Sequence, residues 1–571
     1  MTGLAPLSAT PAASQWPATD AVSAAGVARA RDLPVTDAVW TVEIQGAGSG
    51  GVPAPAPAGL VSGLPLSSIA LPDDGGGSAT VVRVSDRGWI TEPDDAVPNQ
   101  AWPPRLLEPP ALEMQVPLYP GEGRRAEVAA GEVLLANGDG ALDALVSDWT
   151  LSGLGVVIRR GPHRRPIPAA SHEVGRIAEM RVARPLDGAG RLRLVLGSAA
   201  RDLAVPACPV FAGTGGEEGP EALAGQNKPR LFGHRQNFAP VLVDAARQIY
   251  LVAVGPIGSV VEVRNRGVAQ DPYGEVGNYQ ALEEAYVPGS HYMVCLATGH
   301  IRLGSAPSLL TVTAQGDAAP ATGGYLSDPA DLAVKLLQGP GGLDPQRAPR
   351  EAFSAWPTGP AGLLVTGGTV ADAMERLAAG VNGWWGADEF GRMRGGALVV
   401  PETVGPGVAL EPWMLLGRPE EEAQSQPPWW RARVRYAVRD VVQLGENVAQ
   451  GAGAEARDYY GREGEVVTNL NAATQGAFPS AADGPVLDSP FVTAEPAQAL
   501  ADRLMALFGV PRRSWRVSLR SGASGISPAM VRPGTVLQLT YPRVASLAQG
   551  RNLLVLRLSV RGDTLTLLLW G

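Results

Sequence analysis

The residues most able to bind a metal lie between positions 291 and 300. His291, Cys295 and His300 fall in this short stretch. If SHYMVCLA is a strand, His291 and Cys295 lie on the same face, because side chains alternate along a strand. A zinc site needs three or four ligands of matched geometry, and no second cluster of this kind occurs in the sequence. We therefore predict a buried cysteine, histidines at the surface or an interface, and no metal or cofactor.

Adjacent carboxylates occur at three places that could suggest acid–base catalysis. They are Asp94-Asp95, Asp388-Glu389 and Glu420-Glu421-Glu422. Glycoside hydrolysis needs two carboxyl groups that face one another across a cleft. Neighbouring acids in a turn are usually solvated instead, so we predict solvated side chains and no catalytic pair at these positions.

Two further catalytic motifs are incomplete in the sequence. The Gly-rich run GPGGLDP at 339–345 lacks the Lys-Ser/Thr that a P-loop needs. No G-x-S-x-G nucleophile elbow stands in a strand–turn–helix context. We expect a protein that is not an enzyme, so its function has to be inferred from architecture and resemblance.

Paired tryptophans are candidates for a contact surface. Trp384-Trp385 and Trp429-Trp430 are adjacent in sequence, and neighbours on a strand point to opposite faces. In each pair one ring can enter the core while the other faces a second layer or a neighbouring subunit. Burial of both rings inside one domain is the equal alternative. Aromatic residues are enriched at interface cores, which favours the interface hypothesis.

Length, composition and charge exclude several classes of protein. A chain of 571 residues is too long for one core, and its 71 Gly and 51 Pro favour many turns and short strands. A net charge of −9 argues against specific nucleic-acid binding as the main function. The first residues do not form a signal peptide, and no apolar run reaches about 18 residues. We expect a soluble protein without stable membrane insertion. Its two cysteines make no disulfide framework, which indicates a reducing compartment.

The elements that must position these residues are mostly short strands. Alternation predicts strands at 36–45, 79–85, 112–117, 125–135, 154–160, 178–183, 191–197, 429–443, 514–520, 535–541, 552–559 and 564–570. The clearest helix is predicted at 369–380, with Thr369 as N-cap and Asp372 at the third helical position. Further helices are predicted at 278–286, 328–338 and 494–508, and a hairpin at 383–396. Among the Gly/Pro-rich segments, 46–64 is predicted to be a loop or linker, 213–229 a break between domains and 444–492 a loop-rich region.

These patterns predict a mainly β protein with smaller α+β parts. We expect several antiparallel β-barrel or sandwich domains with one or two short-helix α/β insertions. Five segments are predicted. They are an N-terminal arm and linker (1–75), a β-rich domain (76–212), a second β-rich domain (213–320), a small α/β domain (321–405) and a C-terminal β-barrel domain with one helix (406–571).

Several segments resemble a family of bacteriophage tail proteins found in long-tailed phages, prophages and gene-transfer-agent-like particles. The similar segments are SDRGWITEPDD (85–95), NGDGALDALVSDWTLSGLGVVIRRG (137–161), CLATGHIRLGSAPSLLTVTAQGD (295–317), TGGTVADAMERLAAGVNGWWGADEFGRMRGG (366–396) and the end of the chain (501–571). Each segment alone is weak, and their order along the chain is the specific signal. Residues 1–75 match no family, and LSGL at 151–154 replaces the more usual Gly-Arg approach to the next strand.

The C-terminal half also resembles the hub proteins of phage baseplates and tail tips, in which β domains with small α/β insertions form a ring around the tail channel. The resemblance implies a homo-oligomer, with a trimer favoured and a hexamer as the alternative. It implies the distal tail protein, the tape-measure protein and tail fibre or tip proteins as partners. It also implies location in the virion tail, assembled in the host cytoplasm, with roles in host attachment and genome delivery. Arg159 and Arg160 stand where the family often has a basic strand end, so both are candidate interface residues.

Three alternatives to the hub remain open at the level of sequence. One is a distal tail ring protein of the same machine, expected to be a hexamer. Another is a tail enzyme that degrades the cell wall or surface polysaccharide. The third is a receptor-binding protein that recognises carbohydrate through exposed tryptophans. In the structural alternatives the three Gly/Pro-rich segments could lie over adjacent subunits and become ordered on assembly.

Overall fold

The computed structural model describes residues 38–45, 81–90, 99–108, 111–129, 131–143, 155–162, 176–188, 190–319, 324–422, 426–562 and 564–571. Strands predominate in these residues, most sheets are antiparallel, and the helices are short. The predicted fold class is therefore confirmed. Apart from one strand, the predicted N-terminal arm lies outside the described residues, as do Asp94, Asp95, His163 and His172.

The first part of the chain forms strands that return repeatedly to one sheet. They are β1 (Ala38–Gln45), β2 (Val81–Ser85), β3 (Trp89–Ile90), β4 (Ala101–Trp102), β5 (Leu106–Glu108), β6 (Leu112–Gln115), β7 (Glu127–Ala129), β8 (Glu132–Ala136), β9 (Gly155–Pro162), β10 (Arg176–Gly188) and β11 (Arg191–Gly197). Seven of them form an antiparallel sheet in the order β2-β1-β9-β10-β11-β8-β5. Alternate residues such as Val42, Ile44, Val156 and Ile158 point into the core, as the period of a strand requires.

The middle of the chain forms a second pair of sheets. Its elements are β12 (Arg230–Phe238), β13 (Val241–Asp244), β14 (Ile249–Leu251), β15 (Ser259–Asn265), β16 (Val268–Ala269), β17 (Asp271–Glu275), α1 (Tyr279–Glu284), β18 (His291–Cys295), β19 (His300–Leu303), β20 (Leu310–Gln315), β21 (Ala318–Ala319) and β22 (Gly324–Tyr325). Two five-stranded sheets result, one of which is completed by a later strand. Phe238, Val312 and Ile301 belong to the hydrophobic cluster that both sheets share.

The next region contains the longer helices and a three-stranded sheet. Its elements are α2 (Pro329–Gln338), β23 (Gly362–Val365), α3 (Val370–Gly380), β24 (Gly383–Ala387), β25 (Met393–Ala397), β26 (Val408–Leu410), β27 (Glu420–Glu422), β28 (Trp429–Tyr436), α4 (Ala454–Tyr460), β29 (Glu465–Leu470), α5 (Ala472–Ala477), β30 (Ala482–Asp488) and α6 (Ala494–Phe508). The capping box predicted for α3 is present, because Thr369 and Asp372 exchange hydrogen bonds with each other's backbone N–H. The prediction that 444–492 is loop-rich was wrong, since two strands and two helices lie there. β29 and β30 both pair with β28, and this pairing is not visible in local sequence.

The end of the chain completes a sandwich with its beginning. The last elements are β31 (Ser514–Arg520), α7 (Ser521–Ser524), β32 (Val536–Leu539), β33 (Arg551–Arg561) and β34 (Thr564–Trp570). They form a sheet in the order β26-β32-β33-β34-β31-β27, and β6 adds to β33 with β7 beyond it. Leu558 and Val560 of β33 pair with Met114 and Leu112 of β6.

One hydrophobic core lies between this sheet and the seven-stranded sheet. Its buried members include Val133 and Leu194 from the first sheet and Leu553 and Leu567 from the second. Both sheets are open in the described residues, so a sandwich replaces the closed barrel that we considered. Two faces that cover one another need not close their edges. The division into five segments stays a prediction, and segments 76–212 and 406–571 share this core.

Candidate interface residues and the adjacent cleft

The hairpin β24–β25 places Trp384 and Trp385 inside the chain. Trp384 is opposite Gly396 and Trp385 is opposite Gly395 in the strand register. A Cβ atom on Gly396 would overlap the Trp384 ring, so the glycine leaves the space that the indole fills. Both tryptophans are 1% exposed and belong to the core cluster that includes α2, α3 and α6. In this conformation neither ring offers an open surface to another subunit.

Trp385 also forms part of the wall of an acidic cleft. The indole Nε1 donates a hydrogen bond to Glu375 Oε2 at 3.0 Å, and the backbone N–H of Arg124 donates to Glu375 Oε1. Backbone hydrogen bonds join Trp385 N to Arg124 O at 3.0 Å and Ala126 N to Trp385 O at 2.6 Å. The hydrogen bonds of Glu375 therefore connect α3 to the tryptophan hairpin and to the segment before β7.

The cleft has a volume of about 540 Å³, and half of its lining residues are charged. The charged residues in its lining are Glu122, Arg125, Glu127, Asp372 and Glu375. Hydrogen bonds from the backbone and side chain of Thr369 lower the pKa of Asp372, which keeps that carboxylate ionised. Sequence analysis did not identify this cleft, because its residues come from two regions about 250 positions apart and only folding brings them together.

The second tryptophan pair divides between core and surface. Trp429 is 6% exposed, and its ring centroid lies 4.7 Å from that of Phe508. Trp430 is half-buried, and the guanidinium of Arg431 lies 4.7 Å from its ring centroid. The predicted division of an adjacent pair between two environments is present here. An interface role for Trp430 stays a prediction.

Three arginines, Arg431, Arg433 and Arg435, occupy alternate positions along β28. Arg433 contacts Asp483 at 3.2 Å, and Arg435 contacts Asp488 at 2.8 Å. Arg431 also pairs with Asp483. These pairs connect β28 to its neighbour β30, so the positive charge of the β28 arginines is largely balanced within one sheet.

Arg159 and Arg160 lie in an interior strand of the seven-stranded sheet. They belong to β9, where Arg159 is opposite Thr41 and Arg160 is opposite Trp40. Their side chains lie outside the described part of the structure. Their proposed interface role therefore stays a prediction.

The solvated state predicted for Asp388 and Glu389 was wrong. The two residues are 2% and 3% exposed. Asp388 accepts hydrogen bonds from Phe390 N and Arg392 N at 2.9 Å and from Arg394 Nε at 3.2 Å. The hairpin turn surrounds the Asp388 carboxylate, and the hairpin's own residues shield this group from solvent.

Glu389 reaches in the other direction and pairs with Arg532. Burial raises the pKa of Glu389, while the positive charge of Arg532 opposes the shift. The two carboxylates stabilise the hairpin and its contact with the C-terminal sheet. By contrast, Glu421 and Glu422 lie on the edge strand β27 and pair with Arg513 and Arg516, closer to the predicted solvated state.

The three residues first considered as metal ligands lie on β18 and β19 in different surroundings. Cys295 is fully buried as predicted, and its cross-strand partner is His300. The surface position predicted for His300 was wrong, because that side chain is 3% exposed and its ring packs edge-on against Tyr279 at 4.9 Å. Burial lowers the pKa of His300 to about 4, so the imidazole is neutral near pH 7. His291 is half-buried and packs against Tyr273.

The described residues contain no cluster of three His, Cys, Asp or Glu side chains arranged to hold a metal ion. No helix among them has the length and apolar character needed to cross a membrane. The two cysteines are unpaired and lie in different hydrophobic clusters.

Similar solved structures belong to the class of phage-type tail and particle proteins. No protein-family model and no curated protein matches the chain. A tail protein from Neisseria meningitidis MC58 is 9% identical with a TM-score of 0.37, over 82% of this chain and 95% of that chain. A chain of the virion of a native gene transfer agent particle is 16% identical with a TM-score of 0.35, over 61% and 84% of the two chains.

A 43 kDa tail protein of prophage MuSo2 from Shewanella oneidensis is 9% identical with a TM-score of 0.31, over 82% of this chain and 94% of that chain. These three proteins are of the class that the sequence resembles. All three TM-scores are below 0.5.

Proposed function

We propose that the chain is a structural component of a phage tail tip or baseplate and forms the hub ring around the tail channel. The observation that carries the proposal is the interrupted sandwich. Its two sheets are built from 38–197 and 408–570, with β6 and β7 of the first segment added to the second sheet. The elements between the two segments include a small α/β region. Such β domains with α/β insertions are what the resemblance to tail hub proteins implies.

The buried acidic residues of the tryptophan hairpin form ion pairs within the fold, which supports a structural role for the protein. Asp388 and Glu389, one of the three groups of adjacent carboxylates in the sequence, hold a hairpin in place through Arg394 and Arg532. Both carboxylates are almost fully covered. Glycoside hydrolysis requires carboxyl groups that face a substrate cleft, and these two do not meet that requirement.

The proposed assembly is a homotrimer, with a hexamer as the alternative that a distal tail ring would require. In this proposal the hub contacts the distal tail protein and the tape-measure protein on one side, and fibre or tip proteins on the other. Repetition of one contact around a rotation axis closes such a ring.

Electron microscopy of particles labelled with an antibody against the chain tests the proposal. We expect label at the end of the tail away from the capsid, and image averaging should give three copies for a hub or six for a distal ring. Particles from a strain that lacks the gene provide the control and should be unlabelled, with incomplete tails. Label confined to the capsid, or purified particles that lack the chain, would contradict the proposal.

A further inference from the structure

Strand β29 has one unpaired long edge in the described structure. It lies at the end of the sheet order β29-β28-β30 and pairs with β28 from Arg431↔Leu470 to Tyr436↔Glu465. Among the described residues, no backbone hydrogen bond joins its other side to a second strand or loop. An edge of this kind presents free N–H and C=O groups to another strand.

The outward face of β29 is apolar at both ends. Val466 is 49% exposed and Leu470 is 63% exposed, with exposed Thr468 between them. The opposite face is covered, since Val467 packs against the core cluster that includes α6. The three outward side chains, two aliphatic and one threonine, therefore form an uncovered row next to the free backbone edge.

Two other edge strands, β17 and β30, carry features that discourage pairing. β17 contains Asp271, Pro272 and Glu275, and all five of its residues are exposed. β30 carries Asp483, Pro485 and Asp488. Charges and proline are the usual protection of a sheet edge. The strand β29 has no proline, and its one charged residue is Glu465 at its start. The outward row itself has no charge, although it lies beside the β28 arginines in the strand register. The backbone edge next to this row is therefore open to another strand.

We propose that β29 pairs antiparallel with β29 of a second copy of this chain, around a two-fold axis at Thr468. The row is self-complementary about its centre, because Val466 of one copy faces Leu470 of the other and Thr468 faces Thr468. Aliphatic pairs and Thr–Thr pairs are favourable across antiparallel strands. A two-fold contact uses the same patch on both subunits, so no second surface is needed. The two three-stranded sheets become one six-stranded sheet.

The proposed β29–β29 contact is short, so its detection needs a method that traps a transient dimer. Six residues of edge bury much less than the roughly 1,200 Å² of a typical stable interface. The pairing is therefore transient between free copies, and as a two-fold contact it joins copies from different rings rather than neighbours within one homotrimer. This inference does not depend on the tail-hub proposal, and its test is independent of particle imaging.

Disulfide trapping of the full chain detects such a contact. Directly opposed residues of an antiparallel pair have Cα atoms roughly 4.5–5.5 Å apart, within the range of about 4.4–6.8 Å for a disulfide. Both native cysteines are buried, so a surface cysteine is the reactive thiol. We expect Thr468→Cys to form a covalent dimer under mild oxidation at least tenfold faster than Tyr273→Cys. The control lies on the protected edge strand β17 and is 50% exposed.

The register gives a second, independent measurement. Val466→Cys alone should cross-link slowly, because the two Cys side chains would be four residues out of register, roughly 13 Å along the strand. An equal mixture of Val466→Cys and Leu470→Cys should form a heterodimer quickly. Adding Leu470→Asp to Thr468→Cys should slow trapping to the control rate. Equal rates for Thr468→Cys and Tyr273→Cys overturn the pairing, and fast self-linking of Val466→Cys overturns the register.

Discussion

Glu389 and Arg532 form an ion pair between parts of the chain that are 143 positions apart. Their side chains are 4% and 17% exposed, so both charges are largely removed from water. A buried pair adds little net stability compared with apolar residues, but the loss of one partner leaves a charge in a poor environment. At this site the pair connects the tryptophan hairpin to the loop before β32.

Removing the Glu389 carboxylate should destabilise the protein strongly. We expect Glu389→Ala to lower the free energy of unfolding by about 3 kcal/mol, because Arg532 loses its buried acidic contact. Glu421→Ala is the matched control, since Glu421 pairs with Arg513 at an exposed site, and it should cost less than about 1 kcal/mol. Urea unfolding measures both values. Equal effects of the two substitutions would contradict a structural role for the buried pair, whereas recovery in Glu389→Leu with Arg532→Met would support it.

His300 should make stability depend on pH. Its folded-state pKa is about 4 because the ring is buried, whereas an unfolded histidine has a pKa of about 6.5. The unfolded state therefore takes up the proton first, and stability is lost as the pH falls from about 6.5 towards 4. Between pH 7 and pH 5 the native protein should lose about 2 kcal/mol more than His300→Phe. Urea unfolding of both proteins at the two pH values checks this difference, and identical pH dependence would contradict it.

At the scale of elements, the tryptophan hairpin depends on glycine as much as on tryptophan. Gly396 lies opposite Trp384 in the strand register, and Gly395 lies opposite Trp385. A side chain on Gly396 would meet Trp384, and one on Gly395 would meet Phe353. Large and small residues thus alternate across facing strands, which lets two adjacent indoles enter one core.

Adding one methyl group to Gly396 should therefore overpack the hairpin. We expect Gly396→Ala to lower the free energy of unfolding by about 2 kcal/mol, because the ring of Trp384 has to move. Gly417→Ala is the control: no atom lies within 4 Å of its added Cβ, so its effect should be within about 0.5 kcal/mol. Thermal unfolding monitored by tryptophan fluorescence measures the change. If Gly396→Ala changed the free energy of unfolding as little as Gly417→Ala does, the hairpin would be able to accommodate the added methyl group, and the prediction would be wrong.

Local elements could be predicted from sequence because their signals are local. The helix predicted at 494–508 is present. The capping residues Thr369 and Asp372 correctly predicted the start of α3. The environment of Asp388 and Glu389 could not be predicted, because Arg532 approaches them from another part of the chain. The acidic cleft was missed for the same reason, since Glu375 and Arg124 are 251 positions apart.

At the scale of the whole molecule, the sandwich joins the beginning of the described chain to its end. Gln115 of β6 accepts a hydrogen bond from Arg557 of β33 at 2.8 Å, across 442 positions. Strand periodicity predicted both strands but could not predict their pairing, because a period of two residues specifies a buried face and not a partner. Loop closure over such distances costs conformational entropy, and the shared core must offset it.

The shared core predicts that neither half of the sandwich folds alone. A fragment covering 406–571 keeps β31 to β34 but loses β6, β7 and the seven-stranded sheet that covers its apolar face. Leu553, Leu558 and Leu567, which are all fully buried in the full chain, would then face water. We expect this fragment to aggregate or to show no cooperative unfolding transition. Co-expression with residues 1–405 should restore a soluble complex, because that partner supplies the seven-stranded sheet, β6 and β7 as well as the helices α2 and α3 that share a core with α6. Met114→Asp in that partner should prevent it, because Met114 pairs with Leu558 inside the sandwich. Circular dichroism and gel filtration distinguish these outcomes. Cooperative unfolding of the isolated fragment would show that the two sheets have separate cores, and the sandwich would then be a docked pair of domains.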